Sequence, residues 1–378
     1  MTRSNAGASN LPRPPGYWIR RELDTRGWGQ RDLAYTLGCH EQAVTLIVSG
    51  KRGISPEMAK ALAAAFDVSP KFFLNLQNSY DLAIARDPDP GISRRARLQA
   101  SYPVREMIRR GWLVDADATN LELQMARLFE GERTEDIPHL PFAGKKSDYD
   151  EIPPPQLAWL FRVRQIARSI RVGEYSSKKL RAALPKLRQL LTDPEGIRQV
   201  PDILAACGVR FILVESLPQG KIDGACFWLD PDSPVIGMSL RYDRIDNFWF
   251  VLRHEIEHVL QEHGQDDTIG IVDELDGNRS AVDGPGLPEQ ELIANRAAAE
   301  FLIPQHELVA FIAQRTPYIS ERDVLSFANW LDVHPGLVVG QIHSRTGRYD
   351  FLRRYLVKIR QFILPKAIAD GWGHVFAM

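Results

Sequence analysis

The chain has 378 residues, of which 44% are hydrophobic and 25% are charged, and its formal net charge is −1. This length exceeds what one hydrophobic core needs, so we expect two or three domains. The near-zero net charge excludes a polybasic tail, and no apolar run is long enough to span a membrane.

The cysteine usage and the start of the chain predict a cytoplasmic protein. Cys39, Cys207 and Cys226 are far apart and form no C-x-x-C pair, so we expect buried thiols in a reducing compartment. Residues 1–15 are polar, lack the apolar stretch of a secretion signal, and are predicted to be a flexible arm.

Residues 16–86 are predicted to be an all-α helix-turn-helix domain. An amphipathic helix at 16–26 is followed by short helical segments separated by Gly and Ser, a pattern typical of this domain. The residues with core spacing are Leu33, Ala34, Leu37, Val44, Ile47, Leu62, Ala63, Phe66 and Leu74. Gly38 occupies the turn between the second and third helices.

The third helix, at about 40–48, is predicted to enter the major groove of DNA with its first residues at the base edges. Gln42 can pair with an adenine, and His40, Glu41 and Thr45 are near enough to contribute. The side chains expected to hold phosphates are Gln30, Ser49, Lys51 and Arg52. For each single residue, a solvated helix face is an equally good interpretation.

Charge supports DNA binding by this end of the chain, because residues 1–86 hold 11 Lys and Arg against 7 Asp and Glu.

The segment from about 16 to 86 resembles XRE-type repressors, and most closely the HigA antitoxin subgroup, through SGKRGISPEMAKALAAAFDVSPKFFLNLQNSYDLA. This resemblance implies a nucleoid-associated homodimer on operator DNA, and a RelE-like toxin as a partner.

Residues 87–155 are predicted to be a linker and helical connector. DPDPGISRRARLQ (87–99) is rich in Pro, Asp and Arg and indicates an irregular linker, two short helices are expected within 101–131, and 139–155 is a second irregular connection.

Residues 156–378 form the last predicted domain. Two amphipathic helices come first, and short apolar segments at 209–216, 223–229 and 234–240 predict a small antiparallel sheet. We expect a loop at 264–287 and further helices over 306–360.

The segment 247–264 contains His254-Glu255-Ile256-Glu257-His258, an H-E-x-x-H motif within an apolar helix. Because residues i and i+4 share one helix face, His254 and His258 can bind one zinc ion, and Glu255 can act as general base on a bound water. The other interpretation of the motif is a helix with two surface histidines.

A third metal ligand is expected on the helix predicted at 288–304. Glu289, Glu291 and Glu300 are its available carboxylates, and we choose Glu291. By itself this residue is equally explained as a first-turn carboxylate favoured by the helix dipole.

HEIEH followed by ELIANRAAAEFLIP resembles the ImmA/IrrE family of bacterial metallopeptidases, and the resemblance extends upstream to residue 208. It implies a zincin-like domain with a small β-sheet and Glu291 as the third zinc ligand. Members cleave a partner repressor, often in response to stress or prophage induction. The predicted fold class is therefore α+β, mostly helical, with one Zn²⁺ per chain and Mn²⁺ as the alternative.

Several further residues near the motif are candidates for roles at the site. The second donor for the oxyanion is sought among Arg241, Tyr242, Arg244, His263 and His343, which the sequence does not rank. Glu257 faces away from Glu255 and is expected beside the ligands or at the surface. His263, five residues after His258, is assigned to the helix terminus.

Two classes of function fit this sequence. One is a zinc endopeptidase fused to its own DNA-binding domain, which cleaves a repressor-type protein. The other is a HigA-like antitoxin whose C-terminal domain is a sensor or a toxin-binding module without proteolysis. The intact Glu255 favours the enzyme. The fused arrangement favours the second class, since many members of the peptidase family lack a DNA-binding domain and cleave a separate repressor.

Overall fold

The computed structural model describes residues 12–139, 152–265 and 287–376, together with the backbone of 271–273. The chain divides into two compact units, Met1–Asp89 and Pro90–Met378. The described part is mostly helical with one small sheet, so the predicted α+β class is confirmed. Within these ranges no helix has the length and hydropathy needed to cross a membrane.

The N-terminal unit is a bundle of five short helices. They are α1 (Pro15–Arg26), α2 (Gln30–Leu37), α3 (Glu41–Val48), α4 (Pro56–Phe66) and α5 (Pro70–Ile84). Gly27 and Gly38 end α1 and α2 in the left-handed region, with φ of 66° and 63°, which explains glycine at both positions. Ser55 caps α4 by accepting a hydrogen bond from the Met58 N–H.

The core of this unit contains the positions expected from the sequence. Seven of the nine predicted core residues are buried, while Leu37 and Leu74 are partly buried and pack against them. Ile19, Leu23 and Phe73 complete the core from α1 and α5.

The second unit begins with helices of which the first three lie in the connector predicted from the sequence and the others in the last predicted domain. They are α6 (Gly91–Ser101), α7 (Val104–Arg109), α8 (Ala118–Leu128), α9 (Pro154–Ser169), α10 (Ser177–Gln189) and α11 (Val200–Ala206). The prediction of an irregular linker at 87–99 is wrong from Gly91 onward, where α6 begins. This segment is helical and held in place because its Leu98 is buried in a core shared with α8, α9 and the sheet. Arg94 also pairs with the buried Glu122 of α8, which fixes α6 in place. Most of the connection expected at 139–155 lies outside the described residues.

A five-stranded mixed sheet follows. Its strands are β1 (Arg210–Val214), β2 (Gly224–Trp228), β3 (Pro234–Met238), β4 (Ile271–Asp273) and β5 (Ile368–Asp370), in the order β4-β2-β3-β1-β5. The expected antiparallel arrangement holds for β2 with β3, but β1 is parallel to both β3 and β5. The prediction was wrong there because β1 lies on the far side of β3, so it does not pair with β2, the next strand in sequence.

The remaining helices pack around this sheet. They are α12 (Ile245–Leu260), α13 (Glu289–Leu302), α14 (Gln305–Arg315), α15 (Glu321–Trp330), α16 (Pro335–Thr346) and α17 (Arg360–Ile363). The long helix α12 contacts β2, β3, α13 and α16, so its surroundings come from distant parts of the sequence. Apart from β4, most of the loop expected at 264–287 lies outside the described residues.

Candidate active site

Helix α12 is buried along its whole length, which excludes the surface-helix interpretation of the H-E-x-x-H motif. Every residue from Ile245 to Leu260 is buried, and His254, Glu255 and His258 are each 0% exposed. A solvated surface helix has one polar face in water, whereas here the polar motif lies inside an apolar core. Polar groups buried in this way need compensating partners.

Helix α13 packs along α12 and brings a carboxylate to the two imidazoles. The Nε2 atoms of His254 and His258 lie 2.9 Å apart, and Glu291 oxygens lie 3.3 Å from Nε2 of His254 and 3.5 Å from Nε2 of His258. The other two carboxylates weighed for this position, Glu289 and Glu300, are exposed, and Glu300 accepts a hydrogen bond from the Gln305 N–H.

The geometry of this triangle fits one metal ion. In a tetrahedral zinc site the ligand atoms lie about 3.3 Å from one another, because each is about 2.0–2.2 Å from the metal. The three separations here bracket that value, and the three ligand atoms lie within 4.8 Å of one another. Among the described residues, His254, His258 and Glu291 could therefore hold a metal with one position left open.

Glu255 follows the first histidine, and a glycine makes room for it. An ideal Cβ built on Gly224, at the start of β2, would lie 2.1 Å from Oε1 of Glu255 and 2.9 Å from Cγ1 of Val251. The backbone of β2 thus passes directly against the Glu255 carboxylate. This contact could not be predicted from the sequence, because Gly224 carries no signal apart from being a glycine in a strand.

His263 contacts the far side of His258. Its Nδ1 lies 3.0 Å from Nδ1 of His258, while Nε2 of His258 faces His254 and Glu291. Burial lowers the pKa of the His263 imidazole, and the Glu257 carboxylate opposes this effect. His263 does lie just beyond the helix terminus, as expected, but it also touches one of the three clustered side chains.

Glu257 is buried rather than at the surface. It accepts hydrogen bonds from Arg253 at 2.7 Å and from Gln261 at 2.7 Å. Burial alone would raise the pKa of the Glu257 carboxyl, but these hydrogen bonds outweigh that effect and the pKa is lowered. Glu257 therefore forms a buried ion pair with Arg253 and does not share the face of Glu255.

The structure separates the five candidates for a second oxyanion donor. Arg244 pairs with Asp246, and Nε2 of His343 lies 2.6 Å from the Phe351 carbonyl oxygen. His263 lies behind His258, as described above. The guanidinium of Arg241 lies 3.8 Å from the buried carboxylate of Asp223, which adjoins Gly224, and Tyr242 packs against that guanidinium.

The residues predicted to contact DNA lie on and around α3. Gln30 is partly exposed at the start of α2, and the other seven predicted contacts are exposed. The Thr45 hydroxyl donates to Oε1 of Gln30 at 2.8 Å, which joins α2 to α3, and Glu41 pairs with Arg31 at 3.1 Å. Glu41 would have to leave this ion pair to reach a base, whereas Gln42 has no such competitor among the interactions described. Which of these residues touch DNA stays a prediction.

Comparisons with known families agree with the division of the chain. Residues 19–73 match the model of the helix-turn-helix family. Residues 208–329 match the model of the IrrE N-terminal-like domain, which is a peptidase family, and this range contains the β1–β3 strands, α12 and α13.

Curated relatives match over short segments. The virulence-associated protein A′ of Dichelobacter nodosus is 42% identical over 73 residues, which are 19% of this chain and 64% of that protein. The uncharacterized HTH-type transcriptional regulator YddM of Escherichia coli is 34% identical over 90 residues, which are 24% of this chain and 94% of that protein. The chain thus spans somewhat less than two thirds of the first relative and nearly all of the second.

One solved structure is similar in sequence to part of the chain. The addiction module antidote protein of a HigA family from Coxiella burnetii is 30% identical, covering 24% of this chain and 92% of that chain, with a TM-score of 0.19. That score is too low to carry an argument about the fold. The two family models and the coverage of the Escherichia coli regulator show that the chain belongs to the helix-turn-helix family of DNA-binding transcriptional regulators and carries a C-terminal domain of the IrrE-like peptidase family.

Proposed function

We propose that this protein is a transcriptional regulator whose second unit is a zinc-dependent endopeptidase that cleaves a repressor-type helix-turn-helix protein, either its own chain or a partner. The observation that carries the proposal is the triangle of His254, His258 and Glu291, with Glu255 on the same buried helix. Two imidazoles and one carboxylate with an open fourth position are the ligand set of several catalytic zinc sites. A purely structural zinc site would have four protein ligands.

In the proposed mechanism, Glu255 is the proton carrier. A zinc ion held by the three ligands would polarise a water molecule and lower its pKa. Glu255 takes a proton from the water as its oxygen attacks the peptide carbonyl carbon, and then delivers that proton to the leaving nitrogen as the C–N bond breaks. Burial of Glu255 against β2 holds its carboxylate in one place between these two transfers.

Arg241 is the best of the five candidates for stabilising the oxyanion. Its partner Asp223 is the sequence neighbour of Gly224, the residue that packs against Glu255. A fixed positive charge near the developing oxyanion lowers the barrier without reorganisation at the moment of reaction. Arg244, His263 and His343 are held by other partners.

The N-terminal unit would hold the protein on operator DNA as a homodimer, with half-sites about one helical turn apart. Cleavage of a repressor in response to stress or a phage-related signal would separate DNA binding from dimerisation and so release the operon. We place the protein in the cytoplasm, at the nucleoid, with Zn²⁺ as the metal and Mn²⁺ as the alternative.

Metal analysis tests the ligand assignment. We expect about one zinc per chain in protein purified without added metal, and loss of that metal in His258→Ala. The matched control is His306→Ala, because His306 is an exposed histidine on α14 and should not affect binding. Full zinc occupancy in His258→Ala would overturn the assignment. Zinc binding without cleavage of any candidate repressor would favour the alternative, an antitoxin-type regulator with a sensor or toxin-binding domain.

A further inference from the structure

The two nitrogens of the His258 imidazole face different groups. Nε2 faces His254 and Glu291, and Nδ1 lies 3.0 Å from Nδ1 of His263. A neutral imidazole carries one proton, so only one of its nitrogens can donate electrons to a metal. Whatever binds the proton on Nδ1 therefore decides whether Nε2 is available as a ligand.

The chain after α12 is folded so that His263 returns to His258. In a continued helix, five residues correspond to a rotation of about 500°, which would turn His263 about 140° away from the face of His258. Instead α12 ends at Leu260, and Glu262 and Gly264 take left-handed conformations with φ of 59° and 72°. A left-handed conformation at Glu262 is unfavourable for a residue with a side chain and needs support from its surroundings.

That support comes from the backbone of His263 itself. Its N–H donates to the His258 carbonyl oxygen at 3.0 Å, and its carbonyl oxygen accepts from Nε1–H of Trp228 at 3.1 Å. Trp228 is the last residue of β2, the strand that also contacts Glu255. The turn is thus fixed at both ends, and its imidazole is held against Nδ1 of His258.

We propose that His263 is a positioning residue that accepts the Nδ1–H of His258 and so keeps Nε2 of His258 free to bind the metal. The role in metal binding rests on the proposed function, whereas the hydrogen bond itself does not. Ligand histidines usually donate their second N–H to a carboxylate, a carbonyl or water, and these partners set both the tautomer and the ring orientation. Here a second imidazole takes that role, with its own proton on Nε2.

The position of His263 excludes a role as a further ligand through the same nitrogen. Its Nδ1 is directed at the outer nitrogen of His258, on the opposite side of that ring from Glu291. The Glu257 carboxylate, which acts electrostatically on His263, is held by Arg253 and Gln261. The group that lies 3.0 Å from Nδ1 of His258 is the His263 imidazole.

The test compares His263→Leu, His263→Gln and the control His306→Leu in the full-length chain. Zinc affinity is measured by competition with a chromophoric chelator, and the tautomer of His258 is read from ¹⁵N chemical shifts of metal-free protein above the imidazole pKa. We expect the Nδ1–H form of His258 in the wild type, a mixture of tautomers in His263→Leu, and a loss of zinc affinity of about 10–100-fold. His263→Gln offers a carbonyl oxygen as an acceptor, so it should recover part of the Nδ1–H population of His258 and part of the zinc affinity. His306→Leu should resemble the wild type.

The two measurements separate this proposal from the proposed function. An unchanged His258 tautomer in His263→Leu would overturn the positioning role. If the wild type binds zinc, an equal zinc affinity of His263→Leu would overturn it as well. If the tautomer changes but the wild type binds no zinc, the hydrogen bond stands and the metallopeptidase proposal fails. Thermal unfolding and DNA binding of each variant establish that the protein remains folded.

Discussion

Gly224 is the residue on which the position of Glu255 depends. A methyl group there would occupy the space of the Glu255 carboxylate, at 2.1 Å from Oε1, and would press on Val251. We therefore expect Gly224→Ala to displace the carboxylate and lower peptide cleavage by at least about tenfold, since general-base catalysis needs hydrogen-bond reach to its proton. The metal should be retained, because none of its three ligands is touched. Cleavage is followed by mass spectrometry of the fragments, beside metal analysis.

The matched control for this prediction is Gly173→Ala. A Cβ at Gly173 meets nothing within 4 Å, so the same substitution should leave cleavage and metal content unchanged. Undiminished cleavage by Gly224→Ala would show that the contact between β2 and Glu255 does not position the general base.

His334 provides a pH-dependent contribution to stability. Its Nδ1 accepts a hydrogen bond from the Gly336 N–H at the start of α16, at 3.0 Å, and burial lowers its pKa below the ordinary 6.5. As the pH falls through 6.5, His334 binds a proton in the unfolded chain but stays neutral in the folded protein. Acid therefore favours the unfolded chain, and the free energy of unfolding falls. We expect His334→Asn to keep a capping acceptor and to lose less stability than the wild type between about pH 7.5 and about pH 5.5.

Urea unfolding at the two pH values measures this difference, with His306→Asn as the exposed control. A residual decline should remain in His334→Asn, because burial also lowers the pKa of His343. Identical pH dependence in wild type and His334→Asn would contradict the account.

The sequence predicts local residue patterns better than contacts made across the fold. His254 and His258 are readable because a spacing of four places two side chains on one helix face. The placement of His263 depends on two left-handed residues beyond the helix end, and that of Gly224 depends on a strand 31 residues before Glu255. Nothing in the local pattern of either residue reports those contacts.

At the scale of elements, the positions of three of the five strands were predictable, but the strand partners were not. Short apolar segments locate β1, β2 and β3 to within a few residues. The parallel pairing of β1 with β3 depends on the path of the whole chain between them, which local sequence does not show. Strand β5 has three residues and lies near the C-terminus, far in sequence from its partner β1. Helix α6 was missed because its Pro- and Arg-rich surroundings resemble a linker, although Leu98 anchors it in a core.

Helix α3, which we propose reads the major groove, gives a prediction at this scale. Gln42→Ala should weaken operator binding by about 1–3 kcal/mol and relax the preference at one base pair, because Gln can pair bidentately with adenine. Lys51→Ala should weaken all DNA sequences alike and lower the salt dependence, because a phosphate contact carries no base information. Titration of labelled operator and scrambled DNA at two salt concentrations separates the two effects. Equal losses on both DNA molecules for Gln42→Ala would contradict its assignment as a base contact.

At the scale of the whole molecule, two units with separate cores imply separable activities. The N-terminal unit has its own hydrophobic core, formed by buried residues between Ile19 and Phe73. We expect a fragment of residues 1–89 to fold and bind operator DNA, and a fragment of residues 90–378 to retain zinc without binding that DNA. Circular dichroism, metal analysis and DNA titration of the two fragments test this. Operator binding by residues 90–378 with the affinity of the full chain would contradict it.

The proposed activity of the second unit is peptide cleavage, and the decisive measurement is cleavage by the Glu255→Gln protein. Glutamine preserves the size of the side chain but cannot take the proton from water, so metal content and DNA affinity should remain while cleavage falls by about 10²–10⁴-fold. Wild-type and variant proteins are incubated with zinc and a candidate partner repressor, and the fragments of both chains are identified by mass spectrometry. The account predicts fragments from the wild type alone; equal cleavage by Glu255→Gln would contradict the proposed mechanism.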